Sequence, residues 1–478
     1  MALTFLLGEI ASAPLAANLL RKVKPERKAS ILFSNKALKN LIVPLVIEQV
    51  LVMLVGMVDT MMVSHAGEAS ISGVALVDMI DYLIITLFTA LATGGAVIVS
   101  QYLGSRQPNQ ANLAAGQLIT VSAFLSAAVM ALCLVFHNGI LTLLFGKIEA
   151  DVMTACVTYF VITSFSFPFL GVYNSAAALF RSMRKTNVTM YVSALMNVLN
   201  IAGNAIGIFV LKAGVAGVAV PTLISRAMAA VLVTGLLFRQ QYEVHLTPRA
   251  VFSLKKDVIQ SILRIAVPNS LENGCFALGR VLVTGIVALF GTSQIAANGV
   301  ANSVDQITVI VVNAINLAMI TVVGQCMGAG EIEQAKKYTK KLMGISYIAT
   351  AILGIGICAG LPLILRFYRL SSDAYNHACV LIVVHNLLAI LLHPTSFNLA
   401  NSLRAAGDVR FTMITGIGSM LLFRLGSGIL FGVILNLGVF GVWMAMGMDW
   451  LARSVAFVFR YKSGKWQTAK VIDAKAAV

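Results

Sequence analysis

Long apolar segments fill almost the whole chain, separated by short polar connections, and each is close to the roughly 20 residues a helix needs to cross a bilayer. Twelve can be traced, centred on 38–64, 72–100, 112–136, 152–180, 188–211, 215–238, 262–290, 296–327, 342–365, 377–403, 411–435 and 438–459. The longest polar connection, from Arg239 to Asp257, separates six spans from six. This pattern predicts an all-α integral membrane protein of about twelve transmembrane helices in two six-helix halves around a central cavity. The expected divisions are an N-terminal arm over 1–34, a first half over 35–240, a cytoplasmic linker over 241–257, a second half over 258–462 and a tail over 463–478.

The polar interruptions repeat. Val43, Pro44 and Glu48 return 224 residues later as Val267, Pro268 and Glu272. At the same offset Gly67, Asp81, Gln101 and Gly104 return as Gly291, Asp305, Gln325 and Gly328. One unit has been duplicated. Six spans per unit is an even number, so the copies enter the membrane in the same sense and should be related by an axis along the membrane normal.

Composition agrees, with 59% hydrophobic residues and only 11% charged, against about 25% charged in a soluble domain. The net charge of +16 would point to nucleic acid in a soluble protein, but its placement does not. With the N-terminus in the cytoplasm, the arm, alternate loops and tail carry 27 Lys and Arg, and the opposite loops carry Lys147, Lys212, Arg366 and Arg369. That bias predicts both termini in the cytoplasm of a multi-pass protein of the plasma or bacterial inner membrane, with anionic lipid as a partner and no nucleic acid. The basic cluster Arg21, Lys22, Lys24, Arg27 and Lys28 follows the first apolar stretch, the reverse of a signal peptide, and suits an interfacial helix. The six cysteines form no CxxC pair, the histidines lack ligand spacing, and no P-loop, HExxH or GxSxG motif is present. These absences speak against an ATPase, a metalloprotease and an intramembrane enzyme, and no cofactor is expected.

Polar groups within lipid are costly and usually functional. In the first span Glu48 and Asp59 stand eleven residues apart, about 16 Å along a helix. Asn200 and Asn204 share one face of the fifth span, and Thr222 of the sixth falls at a similar depth, so these three and Asp59 can occupy one level. At the repeat offset the four positions hold Val283, Arg424, Gly428 and Met446. A structural contact tolerates duplication, whereas a cation or proton site is needed once. Asp59, Asn200, Asn204 and Thr222 are therefore the candidate ion-coupling set, with sodium at Asp59 as the possible metal. Glu48 and Glu272, and Asp81 and Asp305, persist in both halves and suit a structural or gating role. Glu272 lies two turns from Arg280, which allows a charge network between them. Asp449 and Arg453 are spaced for an internal ion pair. Arg424 reads as lone and central, able to repel small cations or attract an anionic substrate.

Several stretches together resemble the multidrug and toxic compound extrusion (MATE) family over about residues 35–465. They are Pro44-Leu-Val-Ile-Glu48 followed by Val58-Asp59-Thr60, the paired span ends Ser100–Gly104 and Gly324–Gly328, the basic loop Leu403–Asp408, and the turns Gly214–Gly217 and Gly438–Gly441. The resemblance implies proton- or sodium-coupled export of small amphipathic, often cationic organic compounds by alternating access, in a monomer. It is closer to the DinF-like branch, whose first-half site has an acid in span one, an Asn and an acid in span five and a Thr in span six. Asp59, Asn200 and Thr222 match that set, and Asn204 stands in place of the second acid, which favours a proton over sodium. The NorM-like branch places acids in spans seven and ten. Glu272 suits the first, but span ten holds only His385 and His393. A flippase for a lipid-linked precursor on a related fold is the alternative, kept open by Arg226, Arg280 and Arg424.

Overall fold

The computed structural model describes residues 31–146, 148–368, 370–469 and 471–472. The arm with its basic cluster, Lys147 and Arg369 lie outside the described residues. Eleven described helices are long and apolar enough to cross a membrane, or twelve when one bent pair is counted as a span. In chain order the first half contains α1 (Asn35–Val63), α2 (Glu68–Gly104), α3 (Pro108–Phe145), α4 (Ala150–Ser164), α5 (Phe167–Ser182), α6 (Thr186–Ala205) and α7 (Ala216–Leu237). A short helix α8 (Pro248–Phe252) lies in the linker. The second half contains α9 (Lys256–Val287), α10 (Thr292–Gly328), α11 (Ile332–Arg366), α12 (Ser372–Ala406), α13 (Val409–Ser419) and α14 (Gly438–Lys462). No strand occurs among the described residues.

The fourth span is the bent pair: α4 and α5 meet at 48°. Pro168 stands at the first turn of α5, where it lacks an N–H and its ring crowds the carbonyl four residues back. The repeat is visible in the joints as well. Gly67 and Gly291 precede α2 and α10 with φ of 101° and 90°, a region closed to most side chains. After α6 a π-helical turn covers Ile206–Val210, and after α13 one covers Ile429–Ile434. The second half adds another at Met420–Gly426. Its first-half counterpart, residues 196–202, is regular α-helix within α6.

Each half has its own apolar core. One gathers Val77, Phe88, Phe160 and Phe167 around α2, α4 and α5, and the other Val304, Leu381, Trp443 and Trp450 around α10, α12 and α14. Large apolar side chains such as Phe124, Leu143, Val231, Ile352 and Phe459 face outward, which is favourable only where the solvent is lipid. The halves meet through α2 against α9 and α10, and α1 against α10. The linker is fastened to α3 by Gln117, whose amide nitrogen donates to the Ala250 and Ser253 carbonyls at 2.9 and 2.5 Å and whose oxygen accepts from the Lys255 N–H at 3.0 Å.

Candidate functional site

The four residues of the candidate coupling set meet. Asn204 Nδ2 donates to Asp59 Oδ1 at 2.8 Å, tying α6 to α1. With the Asn200 amide turned so that both its ends are satisfied, its nitrogen donates to Asp59 Oδ1 and Oδ2 at 3.0 and 3.2 Å, and its oxygen accepts from the Thr222 hydroxyl at 3.0 Å. Asn204, Asn200 and Thr222 are buried. Asn200 and Asn204 reach one carboxylate because they stand one turn apart on the same face of α6. Two amide N–H groups aimed at Asp59 match an ionised carboxylate.

Asp59 opens onto a cavity of about 260 Å³ inside the first half, also lined by Asp78, Tyr159, Asn197 and Arg226. The Tyr159 hydroxyl donates to Asp78 Oδ1 at 3.4 Å. Arg226 donates to the Ser166 hydroxyl at 2.8 Å, at the break between α4 and α5. Two carboxylates thus face one guanidinium, leaving one negative charge for a bound cation or proton to offset. Asp81 is buried but does not line this cavity, and its Oδ1 has no hydrogen-bond partner among the described residues.

A second, larger cavity of about 480 Å³ lies between the halves, lined by Tyr82, Thr89 and Thr93 of α2, by residues of α9, α10, α12 and α14, and by Arg424 of the π-helical turn Met420–Gly426. Glu272, Arg280, Asp305 and Arg424 all line it. Two sequence expectations are corrected here. Glu272 does not pair with Arg280; its carboxylate meets Arg404 at 2.5 Å, and Arg280 donates to the Tyr82 hydroxyl at 3.4 Å. Two turns along α9 put Arg280 about 12 Å from Glu272, too far to compete with Arg404 reaching across from α12. Arg424 is not alone either, since Asp449 Oδ2 lies 3.6 Å from it. The expected Asp449–Arg453 pair is present at 3.0 Å, so Asp449 is shared. His385 Nε2 lies 2.6 Å from Asp305 Oδ1, and among the described residues no histidine pairs with Asp81 in return, which makes the Asp81/Asp305 repeat unequal.

Glu48, like Glu272, is held by an arginine from another helix of its own half. Arg181 meets Glu48 at 2.6 Å, and Thr189 donates to it at 2.8 Å. The charge pattern places Arg181 and Arg404 with the basic loops. Here they end α5 and α12 as mostly buried halves of two matching ion pairs.

The MatE family model matches residues 44–206 and 268–430, two stretches that begin and end 224 residues apart. The chain belongs to the MatE family. It is 31% identical over 452 residues to the uncharacterized transporter YisQ of Bacillus subtilis, covering 93% of this chain and 96% of that one. It is 24% identical to the probable multidrug resistance protein NorM of Thermotoga maritima, covering 92% and 94%. Its fold superposes with a TM-score of 0.85, at 20% identity, on the outward-facing conformation of a multidrug resistance MATE family transporter, covering 91% and 97%. This is a multi-pass MATE protein with the family's repeated halves.

Three site residues of this MATE protein escaped selection from sequence: Asp78, Tyr159 and His385. Asp78 carried a usable signal. At the repeat offset it becomes Asn302, so the loss of charge that singled out Asp59 applies equally to it. Tyr159 carried none, because its role depends on how α4 packs against α2. His385 was noticed as a span residue, but its pairing with Asp305 depends on how α10 and α12 pack.

Proposed function

We propose that this MATE protein is a secondary exporter of small amphipathic organic compounds, coupled to an inward flow of protons at Asp59 and working by alternating access. The observation that carries this reading is the Asp59–Asn200–Asn204–Thr222 cluster in a cavity with a net negative charge, with no counterpart of its chemistry in the second half. Sodium is disfavoured because the amides turn N–H donors rather than oxygens toward Asp59. A sodium ion needs several oxygens turned toward it, and Asn204 supplies no carboxylate where the DinF-like pattern has one. On this reading the cytoplasm lies on the side of the basic loops, and the halves are closed together on that side in the present conformation.

Closure is supported by a set of contacts between the halves. Gln325 donates to the Ser182 carbonyl at 2.7 Å, Thr321 to the Arg181 carbonyl at 3.1 Å, and Asn269 to the Ala90 carbonyl at 3.3 Å. The experiment is uptake into proteoliposomes under separately imposed proton and sodium gradients. Export driven by a proton gradient and lost in Asp59→Asn supports the reading. Transport that follows sodium alone, or that survives Asp59→Asn, refutes proton coupling at this residue.

A further inference from the structure

The cavity between the halves holds more guanidinium than it neutralises. Arg404 is taken by Glu272 at 2.5 Å and by the Asn401 side-chain oxygen at 3.0 Å. Arg453 is engaged, with Nε donating to Ser419 at 2.8 Å and Asp449 at 3.0 Å and a terminal nitrogen donating to the Gly416 carbonyl at 3.1 Å. The other two are not. Arg424 has only Asp449, at 3.6 Å and already bonded to Arg453, and its Nε is buried with no hydrogen-bond partner among the described residues. Arg280 has no carboxylate within 4.0 Å among the described residues and touches only the Tyr82 hydroxyl and ring. Asp305, the remaining acid of the cavity, faces His385. Arg424 is mostly buried, and a buried charge without full compensation costs several kcal/mol, which an incoming anion recovers; Arg280 is only partly buried and adds its charge at the cavity wall.

Local structure presents these groups to the cavity. Arg424 sits in the π-helical turn Met420–Gly426 that the first half lacks, and such turns recur at functional sites. Arg280 lies one turn from Phe276 on α9, and the Arg424 and Arg453 guanidinium groups stand 5.4 and 5.0 Å from the Phe276 ring. The aromatic faces that would recognise a cationic compound are thus already occupied by the protein's own cations. Phe397, which also carries the Arg453 guanidinium at 5.7 Å, and Trp450 line the cavity beside them.

We infer that this cavity receives the anionic head, a carboxylate or phosphate, of an organic molecule between Arg280 and Arg424, with the apolar body against Phe397 and Trp450. Guanidinium forks suit both head groups, and the volume suits a small molecule. The inference rests on the exporter reading and departs from the family expectation of cationic compounds.

The test is calorimetric titration of the full chain in neutral detergent, without a gradient, using 2-naphthoate, 2-naphthyl phosphate and 2-naphthylmethylammonium. These probes share one aromatic body and differ in charge. Expected is binding of at least one anion, at least tenfold tighter than the cation, and weakened tenfold or more in Arg280→Gln and Arg424→Gln, with partial retention in Arg424→Lys. A cation that binds as tightly as the anions, or an anion affinity unchanged in both Gln variants, overturns the inference. If a Gln variant does not fold, the comparison of probe charges on the parent protein still decides. Competition by short-chain phosphatidylglycerol but not phosphatidylcholine assigns the head group to a lipid, and no competition assigns it to a soluble anion; either keeps the anion site. Loss of anion binding in a protein that still exports under a gradient refutes this inference alone. Anion binding without gradient-driven transport refutes the exporter reading instead.

Discussion

Gln101 of the first half donates its side-chain amide to the main-chain carbonyl of Ala405 in the second, at 2.8 Å. Gln325 returns the contact to Ser182 at 2.7 Å, so the repeat closes on itself where α2 and α10 cross. The crossing leaves no room for a side chain. A Cβ on Gly328 would stand 1.9 Å from the Gln101 carbonyl oxygen, and one on Gly104 2.0 Å from that of Gln325. Gly328→Val should therefore force the two helices apart, at a cost of about 1–3 kcal/mol. A cysteine at Ser182, buried in the parent, should label faster in that background. Unchanged labelling and an unchanged unfolding temperature would show that the crossing does not hold the halves together.

Orientation follows from the loop charges. Single cysteines at Glu68 and Asp373, at the opposite ends of the spans from the basic loops, should react with an impermeant reagent outside intact cells, and one at Lys336 should not. Labelling at Lys336 alone would invert the topology.

Asp59→Asn keeps the shape of the side chain and removes the charge that Asn200 and Asn204 address. Gradient-driven export should fall to background while folding is largely kept, because Asn still accepts one of the amide hydrogen bonds. Val283→Ala, at the equivalent position of the second half, should cost far less transport. Equal losses at both positions would mean that the coupling role is not confined to the first half.

Asn204 lies 2.8 Å from Asp59, so Asn204→Asp sets two carboxylates side by side. Their repulsion favours capture of a cation or of a shared proton. The variant should gain a sodium-dependent rise in unfolding temperature that the parent lacks. A folded variant indifferent to sodium would show that the pair takes a proton instead.

Removing one member of a buried ion pair strands the other. Arg404→Ala leaves Glu272 buried without its cation and should cost about 3–5 kcal/mol, whereas replacing both with apolar residues of similar size should recover most of that. Arg181→Ala should be milder, since Thr189 still donates to Glu48. Thermal unfolding in one detergent checks the order; the reverse order would contradict the account of the pairs.

Much of this protein was legible along the chain. The twelve spans follow from segment length against bilayer thickness, which is a one-dimensional constraint. The two halves follow from the offset of 224, since a duplication is written directly in residue identities. The alignment of Asn200 and Asn204 follows from helical periodicity, and Asp59 and Thr222 could be placed beside them because both ends of each span are fixed by the membrane. Loss of their chemistry at Val283, Arg424, Gly428 and Met446 marked the first half as the special one.

Partner choice was not legible where several candidates stood at the same depth. Glu272 had Arg280 two turns along its own helix, too distant to pair, and packing gave it Arg404 from α12 instead. Arg424 looked solitary until α13 and α14 brought Asp449 to it. Asp78 and Tyr159 meet where α2 packs against α4, a contact between segments about 80 residues apart. Depth in a membrane is set by the distance along one helix from its ends, and that the sequence contains. The rotation and tilt of each helix against its neighbours are set by the sum of many side-chain contacts between segments far apart in sequence, and those decided which charges are compensated and which are left facing the cavity.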